Sequence, residues 1–327
     1  MLRRLAKKMI LNTPFERPLR SLIARWRRES KIASSALLPY PPTFRSFELP
    51  DGLTEEQLLL TFRGVTIDES SPGELDAYAL DAFYRCIHSW QLVRSETGRC
   101  LELGANPYFI THLLREHTNL ELTLANFFGG PEGKQSQKYS WGDGTGRQDA
   151  DLEFDHFNLE ESRFPYDDSS FDVVVFCEII EHLLMNPVHT LKEINRVLKP
   201  GGLLLVTTPN VARLGNVLAM TDGLSIYDPY SGFGPYGRHN REFSMHELVQ
   251  LLKFSGFTPE TTFTADAHRM DYSQHPHFQS VLQTVHWRNN DLGQYLFAAV
   301  RATSEPETGL PASLFRSYPA MELNNNW

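Results

Sequence analysis

The chain has little cysteine: Cys86, Cys100 and Cys177 are scattered over 327 residues. Three isolated thiols exclude a disulfide framework and lack the paired spacing of a zinc knuckle, so a reducing, cytoplasmic setting is expected. Long apolar runs are missing too. Nothing approaches the about 18 consecutive apolar residues of a membrane span, and the longest stretches, at 171–177 and 203–206, have the length of strands. The first residues lack the apolar h-region of a secretion signal, and no internal repeat is present. Positive charge is scarce beyond residue 31. Residues 1–31 hold ten Lys and Arg against Glu16 and Glu29, so a net charge of −9 divides into +8 there and −17 over the remainder. That distribution argues against one continuous nucleic-acid-binding surface and leaves room only for a local basic patch.

What is present suffices for one sizeable core with additions, since 41% of the residues are hydrophobic. Residues 1–45 read as a basic appendage with a Pro-rich linker at Pro39, Pro41 and Pro42. Within it Leu19, Leu22, Ile23 and Trp26 recur at helical spacing beside Arg20, Arg25, Arg27 and Arg28. This suits peripheral contact with an anionic membrane or a partner, or a helix packed on its own domain. Residues 46–95 form a helical N-terminal cap, with Leu75, Tyr78, Ala79, Ala82, Phe83, Cys86 and Ile87 on one side. Over 96–303 strands at 100–103, 120–125, 171–177 and 202–208 alternate with helices at 108–116 and 188–197. Such alternation predicts an α/β fold with a mostly parallel sheet and helices on both faces. A helix at 244–255 and strands at 260–264 and 295–303 close the domain, and residues 304–327 form a polar tail.

The segment 99–108 runs a short apolar strand into Gly104 and then toward a helix near Pro107. In an open α/β sheet this turn lies at the carboxyl edge, where ligands bind, and Gly104 permits close backbone approach. Taken with 164–182, which contains Phe-Asp at the start of a strand and ends Glu-Ile-Ile-Glu-His, and with Pro-Gly-Gly at 200–202, the chain resembles the class I S-adenosylmethionine-dependent methyltransferase family, of the type 11/23-like kind. The resemblance covers about residues 96–260 and implies a Rossmann-like sheet ending in a C-terminal antiparallel hairpin strand. It implies that Glu102, Gly104 and Asn106 surround the methionyl part of S-adenosylmethionine, that Asn126 reaches the ribose, that Asn158 and Leu159 lie near the adenine, and that Cys177 and Glu178 face the methionyl end. Two features depart from the family pattern. The turn is Gly-Ala-Asn-Pro instead of a glycine series, and Asn126 stands where an acid is usual, so it cannot supply a charge-assisted hydrogen bond. A nicotinamide-binding turn would want a third glycine and that same acid, and both are missing.

Glu178, Glu181 and His182 have i, i+3, i+4 spacing and project to one side if the chain turns helical after the strand. With His239 they resemble the metal site of small-RNA 2′-O-methyltransferases, and the first part resembles ubiquinone-pathway O-methyltransferases. A divalent cation, Mg²⁺ or another, is one reading; a structural role with His182 or His239 as general base is the other. The acceptor-side insertion at about 211–243 carries a long Gly- and aromatic-rich loop in which Tyr227, Tyr230, Tyr236, Arg238 and Arg241 are candidate acceptor contacts. His268, His275 and His277 lack regular spacing and read as surface loop. The expected function is O-methylation of a hydroxyl on a small molecule or saccharide. N-methylation of an amine, RNA 2′-O-methylation and a non-catalytic binding module of the same fold are the alternatives.

Overall fold

The computed structural model describes residues 45–68, 72–142, 146–232, 234–268, 270–288 and 290–315. The basic appendage before residue 45 and the tail beyond residue 315 lie outside the described residues. Among the described residues nine strands form one sheet: β1 Thr66–Ile67, β2 Thr97–Leu103, β3 Asn119–Asn126, β4 Gly133–Trp141, β5 Gln148–His156, β6 Phe171–Cys177, β7 Leu198–Pro209, β8 Phe257–Ala265 and β9 Tyr295–Ala302. Their spatial order is β1-β4-β5-β3-β2-β6-β7-β9-β8. The five strands β5, β3, β2, β6 and β7 pair in parallel, whereas β9 is antiparallel to both β7 and β8. This is the Rossmann-like methyltransferase sheet with its reversed final hairpin. Antiparallel pairing of β4 with β5, and of the short β1 with β4, extends the other edge.

The sheet is buried on both sides because its central strands carry continuous apolar runs, such as 173–176 and 203–206, and the period of two sends alternate side chains to opposite layers. In β6, Val173 and Val175 join one core layer while Val174 and Phe176 join the other. The first layer is closed by α2, Pro72–Val93, through Ala82, Ile87 and Trp90, and by α3, Phe109–His117, through Leu113 and Leu114. The second is closed by α4, Pro187–Val197, through Leu191 and Ile194, and by α6, Met245–Phe254, through Leu248 and Leu251. Each buried leucine or isoleucine among these contributes roughly 1.5–3 kcal/mol.

Local chemistry sets the helix starts. Asn186 accepts from the Val188 amide with Pro187 in the first turn, and Ser244 with Glu247 forms a capping box for α6. The cap region contains α1, Glu55–Arg63, as well as α2. The insertion contains α5, Leu214–Thr221, which packs with α7, Phe278–Val285, in a small separate cluster. It is tied back to the sheet where Val211 donates to the Phe243 carbonyl. The helix after Gly104 starts at Phe109, two residues beyond Pro107: the Asn106–Pro107 bond is cis and Tyr108 takes a left-handed step with φ 69°. Pro107 therefore belongs to the turn and not to the first helical turn.

Candidate active site

Because β2, β3, β6 and β7 run parallel, their carboxyl ends share one edge, and the strand order reverses between β2 and β6. Such a switch point leaves a crevice beyond the strands. Here it holds a cavity of about 290 Å³ lined by Gly104, Asn106, Asn126, Phe128, Asn158, Leu159, Glu178, His182 and Tyr236, among others. A smaller adjoining hollow is bounded by Arg85, Glu102, Gly104, Asn106, Cys177 and Glu178. The eight residues expected to surround the cofactor thus line these two spaces.

The turn is held by its own hydrogen bonds. The Gly104 and Ala105 amides donate to the Ala125 carbonyl, and the Asn106 amide donates to Asn126 Oδ1 at 2.9 Å. Asn126 Nδ2 reaches the Tyr108 hydroxyl at 3.3 Å, so the buried amide braces the turn at both ends. A neutral Asn suits this: a carboxylate would accept from Asn106 but has no proton to give Tyr108. Gln137 of β4 accepts from Asn106 Nδ2 and from the Tyr108 hydroxyl, both at 2.9 Å. Gly104 has φ +71°, and a Cβ there would lie 2.2 Å from Ile179 Cδ1. The space over this glycine is therefore occupied by Ile179, not open.

The hollow is charged. Arg85 from α2 is buried, 3.2 Å from Glu178 Oε2, and donates to the Tyr78 hydroxyl at 2.8 Å. Glu178 also accepts from Thr207 at 2.8 Å. Buried Glu102 accepts from Thr111 at 2.7 Å, and burial pushes its carboxyl up to about 8. The smaller hollow offers charged side chains, and the larger cavity offers amides, the glycine turn and the side chains of Phe127, Phe128 and Leu159. Those surfaces fit an amino-acid end, a ribose and a base, which is the chemistry of S-adenosylmethionine.

On the acceptor side, Glu181, His182 and His239 each present a ligand atom within 4.8 Å of the others. The rings of His182 and His239 are 5.0 Å apart, although the two residues are far apart in sequence. Backbone bonds bring them together: the Asn240 and Arg241 amides donate to the Glu181 carbonyl, and Asn240 Nδ2 donates to the His182 carbonyl. Glu178 does not join this group. The chain leaves β6 with φ +56° at Glu178 and makes a single 3-10 turn, Ile180–His182, so the expected helical face does not form and Glu178 turns to Arg85.

Hydrogen bonding sets the histidine tautomers. His182 Nδ1 lies 2.9 Å from the Arg238 carbonyl, which only accepts, so Nδ1 carries the proton and Nε2 the lone pair. His239 Nδ1 lies 3.2 Å from Glu242, which also contacts Arg213. Burial opposes ionisation of Glu242, but hydrogen bonds from His239 and Arg213 outweigh it and hold the carboxyl below its usual range. Burial, reinforced by the charge of His239, lowers the His182 pKa. Burial, reinforced by Glu178, raises Glu181 well above the ordinary carboxylate range. Thr208 donates to Glu181 Oε2 at 2.9 Å, while Oε1 is buried with no hydrogen-bond partner.

Of the five expected acceptor contacts, Tyr236 alone lines the larger cavity, where its hydroxyl accepts from Asn158 Nδ2. Tyr227 and Tyr230 are 84% and 94% exposed, with the Arg238 guanidinium 5.0 Å from the Tyr230 ring. Arg241 pairs with the capping Glu247. His275 pairs with Asp222 at the surface, apart from the crevice. Reasoning from sequence missed Arg85, Gln137 and Glu242. The one available signal was Arg85, a charged residue beside the apolar stripe of α2.

The Methyltransferase domain family model matches residues 134–206. A "Probable S-adenosylmethionine-dependent methyltransferase" of Mycolicibacterium smegmatis is 38% identical over 33% of this chain and 35% of that relative. The mitochondrial ubiquinone biosynthesis O-methyltransferase of Rattus norvegicus is 31% identical over 41% of this chain and 35% of its own length. The matches thus span about a third of the length of these curated relatives. A solved S-adenosylmethionine-dependent methyltransferase from Archaeoglobus fulgidus overlays 68% of this chain and 94% of its own at 13% identity, with a TM-score of 0.43. Residues 134–206 thus carry the sequence pattern of a methyltransferase domain, and the sheet around them has the Rossmann-like strand order of S-adenosylmethionine-dependent methyltransferases, which supports a relation of the chain to that class I family.

Proposed function

We propose that this protein transfers the methyl group of S-adenosylmethionine to a hydroxyl of a small molecule or saccharide. The observation that carries the reading is that His182 lines the same cavity as Gly104 and Asn126, with Glu181 and His239 beside it. Methyl transfer needs chiefly proximity, in-line alignment and exclusion of water. The crevice would provide the first two, and the loop carrying Tyr236, whose hydroxyl accepts from Asn158, would help with the third. A hydroxyl also has to lose its proton. His182, neutral at physiological pH with its lone pair on Nε2, is suited to take it, and a general base adds about 10²–10⁴-fold. The partial relation to the rat O-methyltransferase agrees with oxygen as the accepting atom.

The same donor set fits a divalent cation. Glu181 Oε1 is buried without a hydrogen-bond partner, and Nδ1 of each imidazole is held, by the Arg238 carbonyl and by Glu242, as second contacts of metal-binding histidines commonly are. Two imidazoles with one carboxylate favour Mn²⁺ or Fe²⁺ over Mg²⁺. Such an ion would act as a Lewis acid on the acceptor oxygen. The test is methyl transfer from labelled S-adenosylmethionine to a panel of phenols, polyols and sugars, before and after chelation. Loss on chelation, with recovery on adding Mn²⁺, assigns the group to a metal. Activity that survives chelation and falls about 10²–10⁴-fold in His182→Ala assigns it to a base. Transfer to amines but to no hydroxyl would overturn the reading.

A further inference from the structure

The large apolar side chains left in solvent are not spread evenly over the molecule. Among the described residues, every one that is more than half exposed belongs to a segment at the carboxyl edge of the sheet, the edge onto which the crevice opens. Phe128 follows β3 and Met185 follows β6. Met220, Leu224, Tyr227 and Tyr230 follow β7. Because β9 is antiparallel to β7, its start lies at this edge too, and the segment leading into it carries Trp287. The opposite edge is polar and internally paired: Lys199 with Asp172, Arg196 with Asp168, and Arg301 with Glu96.

Two of the exposed groups are held out by hydrogen bonds. The Glu160 carboxylate accepts from the amides of Leu184, Met185 and Asn186, which fixes the turn that leaves Met185 76% exposed. Arg288 donates to the Ala212 carbonyl, which ties the turn bearing Trp287, 74% exposed, to the start of the insertion. A single apolar side chain in water is ordinary, whereas a ring of them around one mouth marks a surface that something covers. Their arrangement narrows the choice. They project from four separate segments, and a fluid lipid surface takes side chains of unequal height, whereas a protein partner needs a matching pocket for each anchor. Tyr, Trp, Leu and Met also suit the boundary between headgroups and acyl chains.

We propose that this carboxyl edge docks on a lipid bilayer, with Met185, Met220, Leu224, Tyr227, Tyr230 and Trp287 entering its interfacial layer and the crevice mouth turned toward the lipid. The face also bears the exposed acids Asp222 and Asp228, each beside a histidine, so its apolar groups and not its charge draw it to lipid. Anionic lipid would attract residues 1–31 instead, whose net charge is +8. Docking of this kind is independent of the chemistry inside the crevice.

The test is sedimentation of the full chain with vesicles of neutral phosphatidylcholine, which offer residues 1–31 no net charge. Wild type should bind them, and about 1 M salt should not release it. The triple variant M185D/M220D/W287D should bind about 10-fold less. Trp287→Asp alone should lose about 3-fold, whereas Ser95→Asp, an added acid at the polar edge, should bind like wild type. Should the triple variant fail to fold, brominated phosphatidylcholine supplies a second measurement: it should quench wild-type tryptophan emission, and Trp287→Phe should remove most of the quenched part. Absence of binding to neutral vesicles overturns the proposal. So does a folded triple variant that binds as well as wild type, or quenching that is unchanged in Trp287→Phe. Binding to anionic vesicles alone, released by salt, would assign attachment to residues 1–31 and not to this face. A wild-type dimer that the triple variant breaks, with no vesicle binding by either, would make the face an interface between two copies and likewise overturn it.

Discussion

The two ends of the crevice are built differently. At the cofactor end the polar side chains are paired with one another: Asn106 with Asn126 and Gln137, Glu102 with Thr111, and Arg85 with Glu178. At the acceptor end Glu181 Oε1 is buried and has no partner, and it faces His182 Nε2 across 3.9 Å. A closed network fixes a shape before the ligand arrives, whereas an unpartnered buried oxygen holds free energy that a proton or a cation can recover. The difference teaches where recognition ends and chemistry begins. It also accounts for the departures at the first end: Asn126 and the Gly-Ala-Asn-Pro turn replace charge with a hydrogen-bonded brace.

The largest effect that tests this contrast is expected at Gly104. Its φ of +71° strains any L side chain, and a Cβ there would lie 2.2 Å from Ile179 Cδ1, so Ile179 would have to move. Gly104→Arg should lower affinity for S-adenosylhomocysteine more than about 1000-fold, ~4 kcal/mol, by titration. Gly104→Ala should cost roughly 1–2 kcal/mol of stability from its left-handed backbone alone. Retained wild-type affinity in the Arg variant would place the cofactor elsewhere.

A smaller effect is expected from Glu102. Burial pushes its folded-state pKa up from the ordinary 4.5 to about 8, against the hydrogen bond from Thr111. The stabilisation of the neutral form is complete below the ordinary value and is lost as pH rises through about 8, because the unfolded chain then binds fewer protons than the folded one. Glu102→Gln removes this dependence. Urea unfolding of the two proteins from about pH 5 to about pH 9 should show wild type losing stability relative to the variant as pH rises. A constant difference across that range would mean that Glu102 is already ionised in the fold.

Much of the fold was legible because the central strands are buried on both faces. The runs at 173–176 and 203–206 have no polar interruption on either face, which only a covered parallel strand tolerates. The edge hairpin was not legible. Gly133–Trp141 is largely polar and exposed up to Lys138, so it carries no alternation to read. The meeting of His182 and His239 followed from topology, since both lie beyond the same sheet edge. Separation of Glu178 from them did not, because nothing in a Glu side chain announces a left-handed backbone. Arg85 and Gln137 were hidden for a related reason. Their roles depend on partners far away in sequence, Glu178 in one case and Asn106 with Tyr108 in the other.

Gln137 allows the smallest and sharpest test, because it asks whether the edge hairpin belongs to the cofactor site or is only an addition to the sheet. Its Oε1 accepts from Asn106 Nδ2 and the Tyr108 hydroxyl, and it is the link from β4 to the turn that also holds Gly104. Gln137→Ala removes the shared acceptor, but the site is only partly buried, so water can replace part of it. The expected stability loss is therefore about 1 kcal/mol, within the range for a net hydrogen bond. If the hairpin braces the turn, affinity for S-adenosylhomocysteine should fall about 5-fold as well, ~1 kcal/mol. Gln137→Glu keeps an acceptor for both donors and should restore most of that affinity. Stability that falls in Gln137→Ala with unchanged affinity would confine the hairpin to a structural role and limit the closed network to Asn106, Tyr108 and Asn126.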